Sequence, residues 1–265
     1  MPDLYSQLET ALLEPDPRRK CEQAAELLSS WRAGRLERIN TGTILDIDDP
    51  GRPERPELVD PRALQRRSVA TDTGRLHLLH AIAHIEFNAI NIALDAAYRF
   101  REMPDQFVDD WLLVASEEAQ HFQLLRDTLC QRGSDYGAYP AHSGLWDMVC
   151  KTRHDPLHRI ALVPRVMEAR GLDVTPAMIE KFRQFDDADA VAILERIYRD
   201  EIGHVRIGNH WFAALCKARE LEPKTTFRQL LDDYMGGKLR GPFNWPARLE
   251  AGFDAVELEA LEAAG

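Results

Sequence analysis

The chain has few cysteines, and none of them are paired in the sequence: Cys21, Cys130, Cys150 and Cys216 lie far apart, with no Cys-x-x-Cys motif. This spacing argues against a zinc knuckle, a redox dithiol or a disulfide framework. No apolar run reaches the roughly 18 residues that a membrane span needs. The N-terminus also lacks a basic segment followed by an apolar one. We therefore expect a cytoplasmic protein with reduced thiols and no membrane partner.

An excess of positive charge is also missing, since the formal net charge is −11. Such a charge opposes binding to phosphate backbones in general. One segment departs from this balance, and its arginines are Arg52, Arg55, Arg62, Arg66, Arg67 and Arg75. Because no aromatic residues are interleaved with them, the segment is interpreted as a solvated arm packed on acidic helices, with a local nucleic-acid contact as the alternative.

No segment alternates between apolar and polar residues as a β-strand does, so the sequence predicts an all-α fold. Three parts are expected within one structural unit. Residues 1–72 form N-terminal helices, broken near Pro15 and Pro17, and a Pro-rich extended arm at residues 39–61. Residues 73–221 form the main helical bundle, and residues 222–265 form a C-terminal helix and tail.

Four long helices are expected in the main bundle. The first begins at about Thr73 and ends before Pro104, and the second ends at Gly133, because apolar residues recur along both at helical spacing. The third runs from about Pro156 to a stop at Gly171.

Two prolines mark the second half of the bundle. Pro164 should kink the third helix, because proline removes a backbone donor. Thr175-Pro176 should restart a helix by the capping and first-turn rules. The fourth long helix is expected at roughly residues 188–221.

Two Glu-x-x-His pairs carry the chemistry of the sequence: Glu118 with His121, and Glu201 with His204. Residues three apart on a helix project from one face, so each pair offers a carboxylate and an imidazole to the same point. Both pairs lie on apolar stripes. A buried carboxylate is costly unless it is paired or bound to a metal.

Each pair is preceded by a single glutamate on a core-facing stripe. Glu86 lies 32 residues before Glu118, and Glu168 lies 33 residues before Glu201. The near-equal spacing indicates two copies of one helical hairpin. Facing each other, the hairpins would supply four carboxylates and two imidazoles to a two-metal site.

This pattern resembles the ferritin-like di-iron carboxylate proteins, over residues 73–221. The segments Pro50–Leu58, Glu168–Asp173 and Gly241–Asn244 further resemble an uncharacterised bacterial family of that superfamily, akin to the di-iron tRNA hydroxylase. The resemblance implies a ferritin-like four-helix bundle and two iron ions. It also implies an oxidoreductase, such as a monooxygenase, that takes electrons from an external donor. Nucleic acid or a modified nucleoside enters as a partner by this analogy alone.

Carboxylate and imidazole ligands suit iron, with manganese as the alternative, and the lack of thiolate ligands disfavours structural zinc. The leading hypothesis is activation of dioxygen to hydroxylate or oxidise an organic substrate. The alternatives are a ferroxidase or other iron-handling protein, a peroxide-reducing protein of the rubrerythrin kind and a non-catalytic scaffold stabilised by metal. A rubrerythrin-like role would need a Cys-x-x-Cys iron site, which the sequence lacks.

Three further residues near the ligands are candidates for supporting roles. Glu117 and Asp200 each precede a ligand glutamate. We expect Asp200 to accept a hydrogen bond from His121, and Glu117 one from His204, because metal-bound imidazoles usually donate to a carboxylate or carbonyl. Tyr198, one turn before Glu201, is either a radical site or a core tyrosine with a satisfied hydroxyl.

Two other helical stripes accompany the ligands. Small residues on the ligand-bearing faces would leave room for a substrate or permit close helix packing; these are Ala83, Ala89, Ala93, Ala115 and Gly208. A polar stripe on the first long helix points away from Glu86 and is expected to contact the N-terminal arm or solvent. Its members are His77, His80, His84, Asn88, Asn91 and Asp95.

Overall fold

The computed structural model describes residues 1–40, 42–65, 67–237, 239 and 241–264, so Arg66 of the basic segment lies outside the described residues. Within these ranges no β-strand forms, and the all-α prediction is confirmed. Two isolated bridges join Asp3 to Glu37 and Leu58 to Ala141. The chain divides into two compact units, Met1–Cys150 and Lys151–Gly265. The division expected at residues 72 and 221 stays a prediction.

The first unit is built on two long helices, α3 (Asp72–Arg99) and α4 (Asp105–Gln131). Thr71 caps α3 by accepting a hydrogen bond from the Gly74 amide. The short connection between the helices makes them neighbours, as in any αα-hairpin. Their shared apolar faces are buried, as the sequence periodicity predicts.

Two shorter helices, α1 (Leu4–Leu13) and α2 (Pro17–Arg32), complete this core, with aspartates at both N-caps. Lys20 joins α1, α2 and α3 from a fully buried position. Its Nζ donates to the carbonyl oxygens of Ala11 and Leu12 and to Asn91 Oδ1, at 2.8, 2.9 and 2.6 Å. These three oxygens match the three donors of an ammonium group, which offsets the cost of burying it.

The Pro-rich arm lies extended along the first unit, as predicted, apart from one 3₁₀ turn at Pro61–Ala63. It pairs with the loop before α5 (Gly144–Lys151). Ala141 exchanges backbone hydrogen bonds with the arm, to Glu57 at 3.0 Å and from Val59 at 2.9 Å. The Trp146 indole of α5 donates to the Asp48 carbonyl oxygen at 3.0 Å.

The second unit contains a continuous helical run and a long partner helix. The run consists of α6 (Pro156–Leu162), a π-helical turn (Val163–Glu168) and α7 (Ala169–Arg183), and the partner is α8 (Ala188–Ala218). The π turn occurs where Pro164 was predicted to distort the helix. The expected stop at Gly171 and restart at Pro176 are wrong, because α7 passes through both residues.

The C-terminal segment explains how α7 tolerates Pro176. That proline has no N–H to donate to the carbonyl of Leu172, four residues earlier. The Asn244 side-chain amide donates to this carbonyl instead, at 3.0 Å. Arg248 holds the same segment by a bidentate ion pair with the Asp173 carboxylate, at 2.9 and 2.8 Å, and that side chain is fully buried. Helices α9 (Pro223–Met235), α10 (Trp245–Glu250) and α11 (Ala255–Ala264) complete the unit.

Replacing Asn244 with Ala is expected to lower the free energy of unfolding by about 1–3 kcal/mol, because a buried carbonyl loses its donor. The loss should be smaller in a Pro176→Ala background, where the new backbone N–H can bond to Leu172. Urea unfolding of the four proteins in this double-mutant cycle measures the coupling. Equal losses in both backgrounds would contradict this explanation of the tolerated proline. Tyr198→Phe is the control, because it removes the other hydrogen bond of the Asn244 side chain, to the Tyr198 hydroxyl.

The structure bears on two further expectations. All four cysteines are free, as predicted. None of the helices in the part of the chain that the structure describes has both the length and the apolar character needed to cross a membrane.

Candidate metal centre

Three of the predicted ligands meet inside the first unit. Glu86 comes from the middle of α3, and Glu118 and His121 come from one face of α4. His121 Nδ1 lies 3.1 Å from Glu86 Oε2 and 3.3 Å from Glu118 Oε2. Glu86 is 3% exposed, and the other two residues are fully buried. The sequence pattern therefore places two carboxylates and an imidazole in contact within a protein core.

The electrostatics of this cluster favour proton uptake. Burial, together with the neighbouring Glu118 carboxylate, raises the pKa of Glu86 to about 8. Burial lowers the pKa of His121, but its hydrogen bonds with Glu118 and Glu86 outweigh that effect and raise the pKa to about 11. Two negative charges this close are costly in a low-dielectric site unless positive charge accompanies them. In the metal-free cluster, protons supply that charge.

The same three residues fit a metal ion. One ligand atom from each of Glu86, Glu118 and His121 can be chosen so that all lie within 4.8 Å of one another. Carboxylate oxygens and an imidazole nitrogen form a donor set that suits iron, manganese or zinc. A divalent cation would supply the positive charge that protons otherwise provide. The cluster is therefore a candidate metal centre.

The second unit repeats part of this arrangement. Glu201 and His204 lie on one face of α8, with Oε1 and Nδ1 3.9 Å apart, and both are buried. Glu168 is half-buried at the last residue of the π-helical turn. Such turns occur frequently at functional sites. The assignment of all six residues to one two-metal site stays a prediction.

Gly208 shows what at least one of the small residues does. A Cβ at this position of α8 would lie 2.6 Å from Cβ of Pro164 in the π-helical turn. Non-bonded carbon atoms do not approach so closely, so one of the two elements would have to shift. Gly208 therefore permits close packing between α8 and the turn that carries Glu168.

The supporting residues lie close to their ligand glutamates along the helices. Glu117 and Asp200 are both half-buried, and Asp200 Oδ2 lies 3.6 Å from Arg196 Nε. Their expected hydrogen bonds to the ligand imidazoles stay predictions. The Tyr198 hydroxyl accepts a hydrogen bond from Asn244 Nδ2 at 2.8 Å. This contact favours the interpretation of Tyr198 as a tyrosine with a satisfied hydroxyl.

Comparison with known proteins places the chain in a family. Residues 13–259 match the model of a family described as "Protein of unknown function (DUF455)". The chain belongs to the DUF455 family. An "Uncharacterized protein" of Haemophilus influenzae is 45% identical to it over 269 residues, which cover 96% of this chain and 92% of that protein. No solved structure matches the chain.

Sequence reasoning missed the residue that ties Tyr198 to α7 in this DUF455 chain. Asn244 belongs to the Gly241–Asn244 segment, whose role the sequence alone left open. Its Nδ2 bonds to both the Leu172 carbonyl and the Tyr198 hydroxyl. The available signal was Pro176. Within a helix it leaves the Leu172 carbonyl without a backbone donor, and that carbonyl then needs a donor from elsewhere in the chain.

Proposed function

We propose that the chain is a di-iron carboxylate oxidoreductase that activates dioxygen to hydroxylate or oxidise an organic substrate. The observation that carries this proposal is the buried contact of Glu86, Glu118 and His121. The Glu201 and His204 pair supports it, because a second helix of similar length presents the same Glu-x-x-His spacing from a buried face.

The residues of the chain have defined roles in this proposal. Glu86, Glu118 and His121 would bind one ion, and Glu168, Glu201 and His204 would complete a set for two. When bound, a pair of ferrous ions supplies electrons for the reduction of dioxygen. Long helices hold five of these side chains in buried positions, which keeps bulk water away, and the π-helical turn carries Glu168. Metal binding would release the protons that Glu86 and His121 hold in the metal-free cluster.

The substrate and the electron donor are proposed only as classes. The substrate is an organic molecule, and a modified nucleoside or tRNA enters by family analogy alone. The electron donor would be an external reductant. Incubating the iron-loaded protein with oxygen, a chemical reductant and cellular extracts should yield a product with a mass gain of one oxygen atom, or with a loss of two hydrogens.

Metal stoichiometry is the first test of this function. Protein that is loaded with ferrous iron under anaerobic conditions and desalted is expected to retain close to two ions per chain, by elemental analysis. Manganese loading in parallel tests the alternative metal. Retention near zero would contradict the proposal. A cage-sized particle on size-exclusion chromatography, with hundreds of ions per assembly, would support iron storage instead.

A further inference from the structure

A cavity of about 210 Å³ lies in the first unit, apart from the candidate metal centre. Its walls are the Pro-rich arm, α3, the loop before α5, and α5 itself. On α3 it contacts His84, Asn88 and Asn91, which are about 140–200° around the helix from Glu86 at 100° per residue. The cavity therefore lies against the polar stripe of α3. Glu86, Glu118 and His121 are not among its described lining residues.

The inner walls are largely apolar and aromatic. Phe87 and Trp146 are both buried, as are Pro50 and Pro56 of the arm. A cavity of about 150 Å³ lined by apolar side chains accommodates benzene. At about 210 Å³, this one has room for a single six-membered ring with small substituents.

Asn88 presents an acceptor with no partner inside this cavity. Its Nδ2 donates to the His84 carbonyl oxygen at 2.8 Å. Among the described residues, its Oδ1 accepts no hydrogen bond, although Asn88 is only 8% exposed. His84 cannot supply the donor, because its Nε2 lies 3.0 Å from the His142 carbonyl, which only accepts. The Asn88 amide oxygen, on the cavity wall, is therefore available to accept a hydrogen bond from a ligand O–H or N–H.

Among the described residues that line the cavity, Arg52 is the one with a positively charged side chain, and part of its guanidinium has no hydrogen-bond partner. Its Nε donates to Asp49 Oδ1 at 2.9 Å, and its two terminal nitrogens make no bond within the described part of the chain.

Three acidic residues at the cavity edge do not cancel the preference of Arg52 for a negatively charged ligand. Asp48, Asp49 and Asp147 are all exposed, and the Asp49 side chain is 69% exposed against 31% for Arg52. Solvent and salt screen exposed carboxylates more strongly than a partly buried guanidinium. Guanidinium groups bind carboxylates through two parallel hydrogen bonds.

We propose that this cavity binds a small carboxylic acid built on one ring, with its carboxylate on Arg52 and a hydroxyl or amino group donating to Asn88 Oδ1. The ring would lie against Phe87 and Trp146. This site goes beyond the proposed oxidation chemistry and does not depend on it, so it can be tested on metal-free protein.

The test measures binding of 3- and 4-hydroxybenzoate to the full chain without metal, by calorimetry or ligand-observed NMR. Benzoate, benzylamine and inorganic phosphate serve as comparison probes. We expect saturable binding of at least one hydroxybenzoate, weaker binding of benzoate, and none of benzylamine. Phosphate at equal concentration should not displace the ring acid, because it leaves the apolar walls uncovered.

Two variants assign the contacts. Arg52→Gln is expected to weaken hydroxybenzoate binding by about 10–100-fold, the range for a lost charge-assisted pair. Arg62→Gln, an exposed arginine of the neighbouring 3₁₀ turn, is the matched control and should bind like wild type. Asn88→Ala should bring hydroxybenzoate down to the affinity of benzoate and leave benzoate itself unchanged. Circular dichroism checks that each variant is folded.

Several results would overturn the proposal. They are no saturable binding of any ring acid, tighter binding of benzylamine than of benzoate, or wild-type affinity in Arg52→Gln. Equal displacement by phosphate would show a plain anion site rather than a pocket for a ring acid. None of these outcomes bears on metal retention, so this site and the proposed function can fail separately.

Discussion

Replacing Glu118 with Gln is expected to lower the affinity for ferrous iron by more than about 100-fold. Glu118 is fully buried, and its Oε2 lies 3.3 Å from His121 Nδ1, which also contacts Glu86. A neutral amide oxygen binds a divalent cation more weakly than a carboxylate, because it brings no negative charge to the site. Residues that merely support a ligand already cost about 10–100-fold when removed. Competition with a chelator, followed by elemental analysis, measures the loss.

The same variant should be no less stable than wild type without metal. Two buried carboxylates repel each other in the empty cluster, and burial with this repulsion raises the pKa of Glu86. Removing one charge relieves that cost. The melting temperature of the metal-free variant should therefore equal or exceed that of wild type, while its gain on adding iron should nearly vanish. Asp127→Asn, at an exposed position of α4, is the control. A wild-type gain in Glu118→Gln would refute the ligand assignment.

The sequence predicted the cluster in the first unit because its geometry depends on helix periodicity. Glu118 and His121 are three residues apart, and a helix places such residues on one face whatever surrounds it. Glu86 required one further step, that two apolar stripes meet when their helices form a hairpin. The structure brings all three residues together, with His121 within 3.3 Å of both carboxylates.

Where the sequence failed, contacts between distant parts of the chain decided the outcome. Gly171 was predicted to stop a helix, but it is helical, and its φ is not in the left-handed region that a helix-ending glycine adopts. Pro176 was predicted to start a helix, but Asn244 supplies the donor that the proline lacks. No local rule could identify a partner that lies so far along the chain.

The cavity in the first unit escaped prediction for a similar reason. The polar stripe of α3 was correctly placed away from Glu86, and its partners were expected to be the arm or solvent. Its closest partners include the loop before α5, since His84 Nδ1 lies 2.8 Å from the Tyr136 hydroxyl. A cavity forms where the arm, this loop and α3 leave space between them. Periodicity along one helix carries no information about such a space.

Arg165 is the residue of the second unit whose role was least visible in the sequence. It lies in the π-helical turn and is buried, with its guanidinium 4.2 and 4.0 Å from the ring centroids of Phe212 and Phe227. Its Nε donates to Asn209 Oδ1, and its Nη2 donates to Glu257 Oε1, both at 2.6 Å. One side chain thus joins the turn to α8, α9 and α11.

Replacing Arg165 with Met is expected to lower the free energy of unfolding by about 3–5 kcal/mol. The variant keeps much of the packing against the aromatic rings, but it leaves the Glu257 carboxylate buried without its cation. Breaking a buried ion pair by removing one partner carries a cost of this size. Urea unfolding, followed by circular dichroism, measures the change. Arg170→Met, which alters an exposed arginine five residues later, should cost less than about 0.5 kcal/mol.

A double variant separates the cost of the unpaired charge from lost packing. Replacing both partners of a buried ion pair with apolar residues is often neutral or stabilising. Arg165→Met with Glu257→Leu should therefore recover most of the stability that Arg165→Met loses. If the double variant is as unstable as the single one, the cation–π contacts and the bond to Asn209 hold the turn instead. If stability is recovered, the iron retained by the double variant gives a second result, because Glu168 is the last residue of this turn. Wild-type retention would show that the ion pair serves stability alone, and reduced retention would show that it also positions the predicted ligand.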